Sequence, residues 1–309
     1  MPTFEDFTKD DYSELTRGVR WFADRDDLDI SAVREDGEVI GGSVIVNEED
    51  YSVLRYIEID SEYRGTEADG KSLARRITEF ALARVPEDRT IYAQGTNANG
   101  KTQHLMQDEG FEFSGLGIDR SLSEVMKDPG GGFNIDLWNL GNDEELEAYV
   151  PDSLQDFVDA SLRDQREVTY LEPDDSEIHT ASMNIIDTGG RDKHGRTVKV
   201  DIGEGSTFLH HIKGGFSILR SSDDWAEVVN IDVTEPFAYE LSSDFLEAGY
   251  RPVNMTPEVA GNRLRMAKIH EDVGRYGLTQ GTMDVIKETG LDYEIKEEDE
   301  LSSDVVFRS

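Results

Sequence analysis

Residues 57–76 read Ile-Glu-Ile-Asp-Ser-Glu-Tyr-Arg-Gly-Thr-Glu-Ala-Asp-Gly-Lys-Ser-Leu-Ala-Arg-Arg: an apolar strand, a turn of small residues and the start of an amphipathic helix. That order makes an anion site. Backbone N–H groups converge at a helix N-terminus, where the helix dipole also favours negative charge. Arg64, Lys71, Arg75 and Arg76 concentrate positive charge there in a chain otherwise short of it. The pattern predicts a pyrophosphate site built on Arg64, Gly65, Thr66, Ala68, Gly70 and Lys71. The competing reading pairs Arg64 and Lys71 with Glu62, Glu67 or Asp69. Glu58 and Asp60 stand on the strand before the turn, where a carboxylate can act as a general base. With 67 acidic residues in the chain, solvated carboxylates are the alternative.

The elements that must hold this turn follow from hydrophobic period and turn chemistry. A first helix is expected over residues 10–22, then strands over 30–35 and 38–47 joined at Asp36-Gly37, and a third strand over 51–59 that feeds the turn. The helix after the turn spans about 70–84 and stops before Pro86. A strand at 89–94, a helix at about 100–108 closed by Gly110, and a strand at 111–118 complete a mixed α/β layer structure. The run Pro129-Gly-Gly-Gly132 marks a boundary, giving domains at 1–127 and 133–309 with a linker at 128–132. Beyond it, helices are expected at 152–163 and 238–248, with strands at 168–171, 180–186, 196–202, 216–220, 228–233 and 263–269. A terminal helix at 283–288 and a solvated tail at 297–304 close the chain. Residues 103–113 and 242–253 repeat one pattern: a helix, then Glu-Gly-Phe or Ala-Gly-Tyr, then a strand.

Composition narrows the function classes. The formal charge is -36 with mean hydropathy -0.56, and 21 arginines stand against 10 lysines. The acids are dispersed, as in a solvated surface that molar salt screens. No basic face survives to displace phosphate counterions, which argues against nucleic acid. The absence of cysteine excludes disulfides, thiolate metal ligands and a thiol nucleophile. No stretch approaches eighteen apolar residues, and residues 1–9 carry no signal-peptide pattern, so a cytoplasmic protein away from membranes is expected. His210-His211 sits on an expected strand, where neighbours point to opposite faces, and no third ligand has sensible spacing; no metal is expected. Trp138 and Trp225 read as packing residues.

With these residues in view, the first 120 positions resemble the GCN5-related N-acetyltransferase (GNAT) superfamily. The resemblance rests on Ile59 with Tyr63-Arg64-Gly65, on Gly70 with Leu73, and on Asn99 with Thr102-Gln103 followed by Asp108-Glu109-Gly110-Phe111. It implies a GNAT fold with a splayed strand, acetyl-CoA or another acyl-CoA as cofactor, and direct transfer to an amine on a small molecule or a protein. It places the cofactor along Ile57, Ile59, the 64–71 turn, and Asn97, Asn99, Thr102 and Gln103; Asn97-Ala-Asn-Gly100 also reads as a plain turn. Backbone N–H groups of residues 57–59 would polarise the thioester carbonyl. Two departures stand out. The turn is one residue longer than the family spacing, with Ala68 at the first motif glycine. Met106 occupies the place of a Tyr that many members use as general acid, with His104 and Thr102 nearby. On Tyr149-Val-Pro151 before a helix, Ala248-Gly249-Tyr250 after one and Arg263-Leu-Arg-Met266, the second domain resembles a GNAT fold without the phosphate turn, and dispersed acid with little Lys resembles proteins of salt-in halophilic archaea. The alternative function is a non-catalytic acyl-CoA sensor or partner-binding protein. The acceptor and the oligomeric state, a homodimer included, stay open.

Overall fold

Asp36 and Gly37 both take positive φ (51° and 87°), the pair that a two-residue hairpin turn needs to match strand twist. They join β2 (Leu28–Glu35) to β3 (Glu38–Asn47), which pair antiparallel from Glu35↔Glu38 to Leu28↔Val46. The computed structural model describes residues 2–7, 27–48, 51–96, 101–118, 133–140, 145–173, 181–186, 196–204, 224–258, 261–269, 273–276, 287–288 and 293–295. The expected helix at 10–22, the loop with Asn97 and Asn99, the 128–132 linker, His210-His211, the strand at 216–220 and the tail at 297–304 lie outside these residues, as does most of the 283–288 helix.

The N-terminal half continues with β1 (Thr3–Phe7), which pairs on β2, and β4 (Ser52–Ile59), which pairs on β3. A small hairpin of β5 (Glu67–Ala68) and β6 (Lys71–Ser72) leads into α1 (Leu73–Leu82). Then come β7 (Ile91–Thr96), α2 (Lys101–Asp108), β8 (Glu112–Ile118) and β9 (Phe133–Asn139). The other half holds β10 (Leu146–Ala148), α3 (Asp152–Leu162), β11 (Val168–Tyr170), β12 (Ala181–Ile186), β13 (Arg196–Glu204), β14 (Asp224–Asp232), α4 (Phe237–Glu247), β15 (Arg251–Glu258) and β16 (Gly261–Ile269). A short pair, β17 (Val273–Tyr276) with β18 (Tyr293–Ile295), follows.

One mixed sheet of twelve strands runs through both halves in the order β1-β2-β3-β4-β7-β9-β8-β15-β16-β14-β13-β12. This is the expected mixed α/β class. The chain crosses the expected 128–132 boundary and returns: β9, read as the start of the second domain, pairs between β7 and β8. Its inward positions, Ile135 and Leu137, are fully buried with Phe113 and Leu116 of β8. Alternating apolar residues needed two neighbours, and both lie upstream.

The repeat at 103–113 and 242–253 is visible in the connectivity. The run β14–α4–β15–β16 follows the same path as β7–α2–β8–β9, the last strand slotting in beside the first each time. Both helices end alike. The N–H of Gly110 (φ 83°) bonds to Gln107 O and that of Phe111 to Met106 O. Gly249 (φ 90°) bonds to Leu246 O and Tyr250 to Phe245 O. Paired 6→1 and 5→2 bonds of this kind close a helix around a left-handed glycine.

The four helices among the described residues share one apolar cluster against the sheet, with Ala81, Met106, Phe157 and Phe237 joining Ala93, Leu137, Val229 and Met266. Helix α3 packs across both β8 and β15 and so spans the line where the halves meet. A separate cluster of Phe7, Ile30, Val44, Val46 and Val53 fills the opposite face of the N-terminal half. Among the described residues, no helix is long and apolar enough to cross a membrane.

Candidate active site

The site begins at a defect in the sheet. Val44 pairs with Tyr56 but Ile45 pairs with Leu54, so Arg55 is an extra residue in β4. One inserted residue resets the alternation of everything after it. Leu54 faces the helices, and past the bulge Ile57 and Ile59 do so again, packing with Leu73 and Ile77 of α1. Tyr56 therefore stands on the opposite face with Val44 and Val53, and Glu58, two residues on, shares that face. Tyr56 Oη donates to Glu58 Oε2 at 3.1 Å.

Directly beyond the bulge the sheet opens. Strands β4 and β7 run parallel and pair only over Ser52↔Ile91, Val53↔Tyr92 and Leu54↔Ala93. Past these pairs β7 keeps its register with β9 through Thr96, while β4 continues along β3 to Ile59. The result is a split between two parallel strands, with Glu58 beside it and Asp60 at its end. The matching parallel pair of the other half, β13 and β14, stays in register from Thr197↔Ala226 to Ile202↔Ile231. No split forms there.

The turn differs from the expectation in one respect. The helix starts at Leu73, not at about Gly70. Asp69 and Gly70 (φ 55° and 77°) form the tip of the β5–β6 hairpin, another two-residue turn with both φ positive. Ser72 caps the helix, its Oγ accepting from Arg75 N at 3.3 Å, and Leu73 N donates to Thr66 O at 3.0 Å. Ala68 is buried with Tyr63, Leu73 and Ile77. Space above Gly65 (φ 83°) and Gly70 is open, with no atom within 4 Å of where a Cβ would stand.

The four cations gather at this turn but hold protein partners. Arg64 Nε donates to Ile59 O at 3.1 Å. Lys71 pairs with Glu79, Arg76 with Glu79 (3.1 Å) and Asp69 (3.5 Å), and Arg75 with Asp108 (3.0 Å) and Glu109 (2.9 Å). The Lys71 hydrogen bond, with Arg76 helping, holds the Glu79 carboxyl below the ordinary glutamate range. Asp60 behaves oppositely. Burial, then the charges of Glu58 and Glu62, push it above the ordinary aspartate value, and Arg64 opposes them.

The residues expected on α2 divide. Gln103 is fully buried, Thr102 half-buried and His104 exposed. Met106 is buried in the shared core, where no proton donor is on offer. Trp138 packs between Tyr51 and Tyr92, with ring centroids 5.9 and 4.7 Å away. Among the described residues no metal-binding group of side chains forms.

Sequence reasoning missed a polar cluster on the face that carries Tyr56 and Glu58. Asp136 of β9 is 1% exposed. Its carboxylate accepts from Tyr92 Oη (2.7 Å), Gln94 Nε2 (3.1 Å) and Asn254 Nδ2 (2.5 Å), and lies 3.6 Å from Arg265 Nη1. Burial and the Asp136 charge push the Tyr92 phenol well above its usual value, so it stays a donor. The available signal was Asp136 itself, a carboxylate between Ile135 and Leu137. A buried charge needs partners, and a search for them leads to Arg265.

No family model matches the chain, and no curated protein matches it. Solved structures do resemble part of it. The ribosomal-protein-S18-alanine N-acetyltransferase from Escherichia coli is 14% identical, covers 45% of this chain and 92% of its own, and superposes with a TM-score of 0.37. The IAA acetyltransferase from Bacillus cereus is 18% identical over 45% of this chain and 98% of its own, with a TM-score of 0.35. A GNAT family acetyltransferase from Elizabethkingia anophelis, solved with acetyl-CoA bound, is 10% identical over 44% and 96%, with a TM-score of 0.35. Each likeness covers less than half of this chain.

Proposed function

We propose that this chain is an acyl-CoA-dependent N-acyltransferase of the GNAT type, acting on a cationic amine from the split between β4 and β7. The split carries the reading. Two parallel strands that part at a bulge expose strand edges to an extended ligand arm, and the 64–71 turn with its cations lies at the open end.

The residues fit such a cofactor once the turn changes partners. A diphosphate would displace Glu79 from Lys71 and Arg76, and exposed ion pairs of this kind are worth only about 0–1 kcal/mol each. Arg64, Lys71 and the amides around Gly65, Thr66, Ala68 and Gly70 would then hold the phosphates. The backbone of Ile57 and Ile59, with Thr102, Gln103, Asn97 and Asn99, would hold the arm. Bound acyl-CoA supplies an activated thioester carbonyl. The chain supplies orientation and a proton acceptor at Glu58 or Asp60. Orientation carries most of the acceleration where Met106 offers no acid. The second half is read as a GNAT-like unit without a cofactor, consistent with the closed β13–β14 pair. The dispersed acids suit a cytoplasmic protein of a salt-in halophile.

A second reading, a non-catalytic acyl-CoA sensor, is favoured by Met106, which lies in the core and offers no proton to a leaving thiolate. Thiol release from acetyl-CoA with a panel of amines in molar KCl, run beside calorimetric CoA binding, separates them. Turnover supports the transferase. Binding without turnover supports the sensor, and neither removes both. Arg64→Glu is expected to abolish CoA binding with the fold intact; unchanged affinity would move the site elsewhere.

A further inference from the structure

The polar cluster around Asp136 gives the second half a task in this site. Gln94, Asp136, Gly115, Asn254, Arg265 and Asn230 stand side by side across β7, β9, β8, β15, β16 and β14, one residue from each strand. The row continues past Asp136, because Arg265 Nε donates to Asn230 Oδ1 at 2.8 Å. Ser114 Oγ lies 3.3 Å from Asn254 Oδ1 and donates to it. Gly115 is the one position without a side chain. A Cβ there would stand 2.2 Å from Val253 O and 2.4 Å from Asn254 Cα, so only glycine lets β15 close on β8. Gly117 keeps the next place clear, since its Cβ would meet Asp136 Oδ1 at 2.4 Å.

Gln94 is the first residue of β7 past the last β4 pair, at the root of the split. It shares a face with Asp136, and with Tyr92 opposite Val53 it shares that of Tyr56 and Glu58. An ionised carboxylate only accepts hydrogen bonds, so Asp136 fixes which way round the Gln94 amide stands. With an Nε2 hydrogen committed to Asp136, Oε1 is the acceptor that Gln94 can offer a ligand.

Resting on the acyltransferase reading, we propose that Gln94 Oε1 contacts the acceptor amine on the β7 side of the split, on the sheet face that carries Tyr56 and Glu58. Asp136, held by Asn254 and Arg265 of the second half, is its positioning residue. The second half thus completes the acceptor site without binding a ligand of its own. An acceptor amine needs hydrogen-bond acceptors, which Glu58 and Gln94 supply from the two strands. A buried carboxylate stays ionised only with partners, and part of its support comes from the other half of the chain.

The test is steady-state kinetics on the full chain in molar KCl, with acetyl-CoA and three amines: spermidine, a lysine-containing peptide and an alanine-led peptide. Gln94→Leu is expected to raise the KM of the accepted amine about tenfold, the loss of one hydrogen bond to a charged group, with the acetyl-CoA KM unchanged. Arg265→Gln is expected to raise the same KM, and Arg265→Lys to restore most of it. Melting curves of each variant identify plain unfolding, and Gln94, half-buried, is the variant that tolerates change. An amine KM unmoved by Gln94→Leu, or both KM values rising together, overturns the proposal while leaving the transferase reading intact. No turnover by the unaltered chain with any of the three amines overturns both.

Discussion

Asp60 and Glu79 lie a few residues either side of the turn and titrate in opposite senses. Burial and like charges raise Asp60, so the fold favours its protonated form. Its contribution to stability is present below the unfolded-state pKa and is lost as pH rises through the raised folded value. Asp60→Asn is therefore expected to leave the melting temperature at neutral pH unchanged or higher. If Asp60 is the base, the same change cuts turnover by about 10²–10⁴-fold, and kcat/KM of the unaltered protein falls as pH drops through the raised pKa. A melting series beside a pH–rate profile reads both. Glu79 is lowered by Lys71 and Arg76, so its contribution holds above the unfolded-state pKa and is lost as pH falls through the folded one. Glu79→Gln should flatten acid denaturation and, by releasing Lys71 and Arg76, tighten CoA binding within about fivefold, as calorimetry would record. The places of Glu58 and Asp60 at the end of β4, and of the cations about the turn, were legible in the sequence because strand period and a small-residue turn are local signals. Asp136 was not, because its partners Tyr92, Asn254 and Arg265 lie far away along the chain and only strand pairing joins them.

Element positions were legible where turn chemistry is local. Asp36-Gly37, Gly110 and Gly249 each mark an end that the structure keeps. The start of α1 was misplaced because Asp69-Gly70 satisfies a hairpin as well as a helix entry, and Ser72 makes the better cap. Ser72→Ala is expected to cost about 1 kcal/mol, typical of a lost N-cap, measured by urea unfolding; a change near zero would mean that the Leu73–Thr66 bond alone fixes the helix start. The β4 bulge left no trace in the sequence. Strand period reads Arg55 as an ordinary member of its run, and only the paired register of β3 shows it to be extra. That single residue sets which face receives Glu58.

At the scale of the molecule, two runs of similar connectivity share one sheet, and their meeting line is narrow. Strands β8 and β15 pair at Gly115↔Asn254, so the helix α3 and the row through Asp136 and Arg265 carry much of the join. Gly115→Ala places a methyl against backbone that cannot turn aside, at a φ of 148° that also disfavours a side chain. It is expected to destabilise toward the upper end of the usual 0.5–3 kcal/mol range, roughly, and to lower the melting midpoint of both halves together; separate transitions would show that the halves fold independently. The repeat was legible as Glu-Gly-Phe and Ala-Gly-Tyr, whereas the place of β9 was not, since a glycine run looks the same inside a unit as between two. In the proposed function acyl-CoA lies in the β4–β7 split with its phosphates at the turn. Amide hydrogen exchange of the whole chain in molar KCl, with and without acetyl-CoA, tests it most directly. Slowed exchange is expected at residues 56–59 and 65–71, with no change across β13 and β14. Unchanged exchange at both of those N-terminal segments under millimolar acetyl-CoA would contradict it.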